Sequence, residues 1–277
     1  MENIFIVNPK AGLKKGQEIL KELNNLENSC FYVTEEEKKT KEFVNYITKQ
    51  YPKAILYSIG GDGTLNQIVN GIKDSNIKLH VVPFGSGNDY YKVVKNFLTE
   101  KVDIGEVNGH KFINIASLGI DADIVERANR DKLYYLKYQR NILKTLLIYQ
   151  KKLLEFENRQ RLINILAVCK GKYYGNGIPI NPNYCLNNGK FNIIEAGNLN
   201  LMQMISCYLK IFKGTHLNDK HVDVSLKDSL EVKSLYPIFC NVDGEVFTDT
   251  EFQFRLIKDG ITITNEIPSK VKRILYR

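Results

Sequence analysis

Three short glycine loops carry the residue types of a phosphate-handling site: Asn8-Pro9-Lys10-Ala11-Gly12, Gly60-Gly61-Asp62-Gly63-Thr64 and Gly85-Ser86-Gly87-Asn88-Asp89. Glycines after a strand let backbone N–H groups approach phosphate oxygens, and the N-terminus of a following helix favours the anion. Thr64 is suited to cap that helix or to bond a phosphate. Asp62 needs a separate reason. A carboxylate beside phosphates repels them unless a cation bridges the two or the carboxylate takes the proton of a reacting hydroxyl. No loop matches GxxxxGK[ST], and the first strand is not followed by GxGxxG, which excludes a P-loop and a dinucleotide-type Rossmann site. Taken alone, Gly60 to Thr64 also fits a flexible turn before a capped helix. The recurrence of the pattern after two other strands argues for chemistry, because loops at the carboxyl ends of a parallel sheet line one crevice.

The elements that must hold these loops are legible in the hydrophobic pattern. Ile4 to Val7 reads as a buried strand, Gln17 to Leu26 as a helix with Ile19, Leu20 and Leu23 inward, and "CFYVT" as the next strand. Phe43, Val44 and Ile47 mark a second helix, Ala54 to Ile59 and Leu79 to Phe84 two more strands, and Leu65, Ile68, Val69 and Ile72 an apolar helical stripe. Val93, Val94, Phe97 and Leu98 suggest a helix beyond the third loop. Strand, glycine loop and helix recur, as in a parallel sheet covered by helices.

After Lys101 the pattern becomes mostly β. Asn108-Gly109 and Asn188-Gly189 each separate apolar runs and predict type I′ hairpins. One long helix is expected over Asp131 to Glu157, with Leu133, Leu136, Leu143, Leu146, Leu147, Leu153 and Leu154 at helical spacing. Its basic face, with Lys137, Arg140, Lys144, Lys151 and Lys152, suits solvent or a membrane surface. Two domains follow: residues 1–104, with about 265–277 packing back on them, and residues 105–264.

A charge of +8 favours anionic partners, but no nucleic-acid motif accompanies it. The five cysteines include no CxxC pair, and His216 and His221 lack companions for a zinc site. The N-terminus lacks the features of a signal peptide, and no apolar run approaches the length of a membrane span. A cytoplasmic protein with at most peripheral membrane contact is expected.

The series "NPKAG", "GGDGT", "GSGND" and "VDGE" (Val242 to Glu245) resembles the diacylglycerol kinase catalytic family, which includes bacterial lipid kinases and sphingosine and ceramide kinases. "KVDIG", "FINIASLGIDADIV" and "FKGTH" extend the resemblance over nearly the whole chain. It implies an α/β, Rossmann-like N-terminal domain of the NAD kinase/diacylglycerol kinase type and a mainly β-sandwich C-terminal domain. It further implies ATP as phosphate donor, Mg²⁺, and a lipid hydroxyl at the inner membrane surface as acceptor, most simply that of diacylglycerol, with anionic phospholipid nearby.

By the same resemblance Asn8, Pro9, Lys10, Ala11, Gly12 and Thr34 contact nucleotide. Gly60, Gly61, Asp62, Gly63, Thr64 and Asn66 cradle phosphates, and Gly85, Ser86 and Asn88 complete that pocket. Asp62, Asp89 and Asp103 match aspartates around the nucleotide's Mg²⁺ and its waters. Glu245 matches a general base, with Asp62 as its rival; by local pattern alone, "NVDGEVF" is a hairpin that exposes Glu245. An NAD kinase-like phosphotransferase and a non-catalytic lipid-binding regulator are the alternatives, and monomer and homodimer both remain open. Similar bacterial enzymes carry an Asp-Asp-Gly stretch with a further aspartate at a distal Mg²⁺ site. Asn187, Asn188 and Asn192 stand here instead, and neutral amides are weaker ligands. Tyr90-Tyr91-Lys92 also departs from the commoner Phe-Ala-Arg.

Overall fold

The computed structural model describes residues 2–23, 26–34, 37–73, 76–131 and 137–276. The chain divides into two compact units, Met1–Ile104 with Ile257–Arg277, and Gly105–Leu256. The first unit therefore takes its residues from both ends of the sequence.

In the first unit, β1 (Asn3–Val7), α1 (Lys15–Leu23), β2 (Ser29–Val33), α2 (Glu37–Gln50), β3 (Ile55–Gly60), α3 (Asp62–Gly71), β4 (Lys78–Pro83) and α4 (Asp89–Val94) alternate, and β5 (Thr99–Val107) leads out of it. All five residues of β1 are buried, as expected of a strand covered on both faces. β1 pairs in parallel with β2 and β3, and β3 with β4. This order places the loops after β1, β3 and β4 side by side at one sheet edge. Phe5, Val7, Tyr57, Ile59 and Val82 form its core against Leu23.

The second unit holds β6 (His110–Phe112), β7 (Ile115–Gly119), α5 (Ile120–Arg130), α6 (Lys137–Ile148), β8 (Lys152–Phe156), β9 (Arg159–Cys169), β10 (Phe191–Gly197), α7 (Leu201–Phe212), β11 (Val222–Lys227) and β12 (Ser229–Val242). β13 (Glu245–Thr264) runs from this unit into the first, where Thr262 and Ile263 add to β4 in parallel, and α8 (Ser269–Leu275) closes the chain. The strand order is β11-β10-β9-β7-β12-β13. β8 also joins β9 to β12, so those two long strands are bridged by β7 at one end and β8 at the other. Phe112, Leu118, Leu166, Phe191, Val232 and Phe252 fill the resulting antiparallel core.

Three expectations change. The helix expected over 131–157 is instead α6 followed by strand β8, and α5 ends at Arg130 before it begins. Leu133 and Leu136 lie outside the described residues. Leu154 and Phe156 point into the β core on alternate positions of β8, whose period of two overrides the apparent helical spacing. Asn108 and Gly109, both at positive φ, make the expected hairpin between β5 and β6. Asn188-Gly189 does not, because no strand precedes it; Asn188 Oδ1 accepts the Lys190 N–H in a local turn, and β10 pairs with β9 and β11. Finally, Ile257–Thr264 belong with the first unit rather than the second.

Candidate functional site

The loops after β3 and β4 meet through a backbone contact that only small residues permit. A Cβ on Gly85 would lie 2.4 Å from the Gly61 Cα, so these two loops touch backbone to backbone. A Cβ on Gly60 would meet Thr64 Oγ1 at 2.4 Å, whereas one on Gly63 would meet nothing within 4 Å. Gly63 thus faces open space at the first turn of α3, where N–H groups have no partner within the helix.

Asn8 fixes the first loop. Its N–H donates to Ile59 O, its Oδ1 accepts the Lys10 N–H at 3.0 Å, and its Nδ2 donates to Thr64 Oγ1 at 3.3 Å. Pro9, Lys10, Ala11 and Gly12 (φ 62°) continue the turn. Thr34 adjoins the same strand end, its N–H on Val7 O. Thr64 is buried inside α3 rather than at its start; Gly61 is the N-cap, and no side chain caps it. Asn66 is buried, and its carbonyl and Oδ1 both receive the Asn70 amide.

Asn88 shapes the third loop from a left-handed conformation (φ 51°, ψ 44°). Its side chain accepts the Gly85 N–H and donates back to Gly85 O, leaving Ser86 exposed at the tip. Asp62, at the start of α3, accepts the N–H groups of Asp89 and Tyr90 at 3.0 and 3.1 Å. Burial raises the Asp62 pKa above the ordinary carboxylate value; the two N–H groups lower it, and neighbouring Asp89 raises it further. Asp89 is itself buried and paired with Lys92 at 2.9 Å.

Asp103 is buried in β5, with one oxygen on the Asp259 N–H. Among the described residues no three His, Cys, Asp or Glu side chains form a group able to hold a metal by themselves. Asp62 and Asp89 nevertheless fit Mg²⁺, a hard cation that commonly takes one or two carboxylates and fills its remaining positions with phosphate oxygens and water.

In the second unit, Asp243 (φ 50°) and Gly244 (φ 99°) turn β12 into β13, and Glu245 follows, exposed. The hairpin reading of this stretch is therefore right. The turn is also anchored, because the Asp243 carboxylate accepts three successive N–H groups, from Ile113, Asn114 and Ile115, at 2.7, 3.0 and 2.9 Å.

Residues 2–115 match the diacylglycerol kinase catalytic domain, and residues 114–264 match the YegS C-terminal NAD kinase beta sandwich-like domain. The chain belongs to the diacylglycerol kinase family. It is 28% identical to a diacylglycerol kinase of Bacillus subtilis, over 69% of this chain and 71% of the relative. It is 27% identical to one of Staphylococcus haemolyticus, over 87% and 81%. A crystal structure of a diacylglycerol kinase from Bacillus anthracis has the same fold, with a TM-score of 0.73 at 20% identity, covering 95% of this chain and 96% of that one. Among the described residues, no helix is long and apolar enough to cross a membrane.

Sequence reasoning missed several polar groups that this family's second domain buries here. Asp121 is fully enclosed, with Ser117 Oγ and Asn241 Nδ2 donating to Oδ2, and burial raises its pKa. The only cue was an aspartate inside the apolar stretch Phe112 to Val125. Lys170 is buried too, its ammonium donating to Asn188 Oδ1 at 3.0 Å and Lys190 O at 2.9 Å. Beside α5 and α6 lies a cavity of about 780 Å³ lined by Asp123, Glu126, Arg127, Lys144 and Lys152 with Phe239. That lining suits polar groups rather than acyl chains.

Proposed function

We propose that the protein is an ATP-dependent lipid kinase that transfers the γ-phosphoryl group to a lipid hydroxyl, with diacylglycerol giving phosphatidic acid as the leading reaction. The observation that carries this reading is the Asp62 carboxylate bound at the start of α4 while Gly61 and Gly85 meet backbone to backbone. This packing leaves Gly63 and the exposed loop tips facing open space beside a carboxylate, an arrangement suited to a metal-bound triphosphate.

Asn8, Pro9, Lys10, Ala11, Gly12 and Thr34, with Gly60, Gly61, Gly63, Thr64 and Asn66, are assigned to nucleotide binding. Gly85, Ser86 and Asn88 complete the set. Asp62 and Asp89, with Asp103 acting through water, are assigned to the cation. Bound Mg²⁺ would neutralise phosphate charge. The acceptor oxygen forms a bond to the γ-phosphorus as the bond to the bridging oxygen breaks, ADP departs, and the hydroxyl proton passes to a carboxylate. Glu245, exposed on the anchored β12–β13 turn, is the better candidate for that base, because Asp62 is assigned to the loops and the cation. The reaction belongs at a membrane surface reached from the cytoplasm.

The test is transfer of label from γ-labelled ATP, with Mg²⁺, to a panel of lipids in mixed micelles, with NAD in a parallel reaction and Asp62→Asn as control. Label in one lipid class that vanishes in the variant supports the reading and names the substrate. Label in NAD overturns it, as does ATP binding without transfer to any acceptor.

A further inference from the structure

We infer that the outward face of α7 is a docking surface for an anionic lipid bilayer. This deepens the lipid-kinase reading and rests on it for the choice of partner.

α7 begins with a reciprocal capping box, the Asn200 side chain on the Gln203 N–H and the Gln203 side chain on the Asn200 N–H, which sets the helix firmly. Met204, Cys207 and Ile211 face inward onto the β unit. A helix anchored in this way should present polar residues to solvent. This one presents Met202, Ile205, Leu209 and Phe212, with exposures of 74, 37, 60 and 50%, at spacings of three and four that form one outward stripe. Val224 and Leu226 of β11, the edge strand of this unit's sheet, are exposed as well.

Charge selects the occupant. α7 contains no acidic residue, and Lys213 and Lys220 are exposed at and beyond its C-terminal end. From Leu201 to Lys227 four lysines stand against two aspartates; Lys210 pairs with Asp219 and Lys227 with Glu157, so Lys213 and Lys220 supply the positive charge of this face. An apolar stripe flanked by lysines is the pattern of an interfacial helix on anionic lipid. A second copy is less well matched, because a twofold contact would bring this net positive surface against itself.

The experiment is co-sedimentation of the full chain with phosphatidylcholine vesicles, with and without phosphatidylglycerol. It compares wild type with the double variants Met202→Ser/Leu209→Ser and Lys213→Glu/Lys220→Glu, and analytical ultracentrifugation is run on each. These side chains are exposed, so the melting temperature should not change. The expectation is selective binding to the anionic vesicles, weakened roughly tenfold or more in each double variant. Binding that is unchanged in the serine variant, or equal on neutral vesicles, overturns the proposal. A wild-type dimer that the serine variant dissociates without loss of vesicle binding assigns the face to self-association and also overturns it. Because binding is read without turnover, loss of binding by the variants supports docking even if no lipid is phosphorylated. Failure of the kinase reading and failure of docking are thus separate results.

Discussion

The carboxylate of Asp62 accepts the backbone N–H of Asp89 at 3.0 Å and so ties the start of α3 to the start of α4. One side chain therefore both shapes the loops and carries charge beside them. Asp62→Asn keeps one acceptor oxygen but loses the charge. It should fold and bind nucleotide while transfer falls by a factor of at least about 100. Asp62→Ala should also lower stability by roughly 1–3 kcal/mol, because buried N–H groups lose their partners. Thermal melts beside single-turnover transfer assays separate the two effects.

Gly85 and Gly63 make a matched pair. Gly85→Ala drives a methyl group onto the Gly61 Cα and should cost about 1–3 kcal/mol together with nucleotide affinity. Gly63→Ala meets nothing within 4 Å and should leave the melting temperature nearly unchanged. If Gly63 lies against phosphate, its alanine variant should still weaken ATP binding measured by calorimetry.

His80 gives the first unit a defined pH response. It is buried, and Nδ1 must donate to the Thr264 carbonyl, which can only accept, so Nε2 receives the Tyr276 hydroxyl at 2.8 Å. Burial first, then Lys272, pushes its pKa below 6.5 despite the opposing Thr264 bond. Between the lowered folded value and 6.5 the unfolded chain binds more protons than the folded one. Stability should therefore fall as pH drops through that window and be fully present above it. Melts at stepped pH should show this slope, and His80→Gln should remove it.

Asp243 organises the β12–β13 turn through the three N–H groups of Ile113, Asn114 and Ile115. Asp243→Ala should destabilise by about 3 kcal/mol, since it orphans these donors and places alanine at a positive φ. Asp243→Asn, which tolerates that φ and keeps one oxygen, should lose less in a denaturant titration.

The first unit was legible because β1, β3 and β4 are short apolar runs punctuated by glycine, a local signal that matches the tertiary role. Helix and strand in the second unit were harder to separate. Leu153 and Leu154 continue the leucine spacing of α6, yet they lie in β8, where pairing with β9 and β12 decides the conformation. Long-range pairing also explains the misread turn at Asn188 and the placement of Ile257–Thr264. The loop residues of the candidate site were readable by type, but the Asp62 contacts and the Gly61–Gly85 approach were not. They join positions 27 and 24 residues apart, and no local pattern encodes such contacts.

Lys170 predicts how the Asn187–Asn192 stretch responds to chelation. Its buried ammonium already occupies Asn188 Oδ1 and Lys190 O, and a divalent cation there would meet its positive charge. The melting temperature should be indifferent to EDTA. Lys170→Met should cost roughly 1–3 kcal/mol, because the Lys190 carbonyl loses this donor while Asn188 Oδ1 keeps the Lys190 N–H.

The return of β13 to β4 also governs how the protein is made. β1 to β4 leave the ribosome early, but the strand that pairs with Lys78 and Leu79 at the open edge of β4 follows only after Gly105–Leu256 have been synthesised. At about 5–20 residues per second that interval is roughly 10–30 s. Throughout it the nascent sheet presents an unpaired, apolar strand edge, the kind of surface that recruits chaperones or stray strands. The second unit can finish folding first, and the sheet of the first unit gains its last strand only after the C-terminal segment has been made.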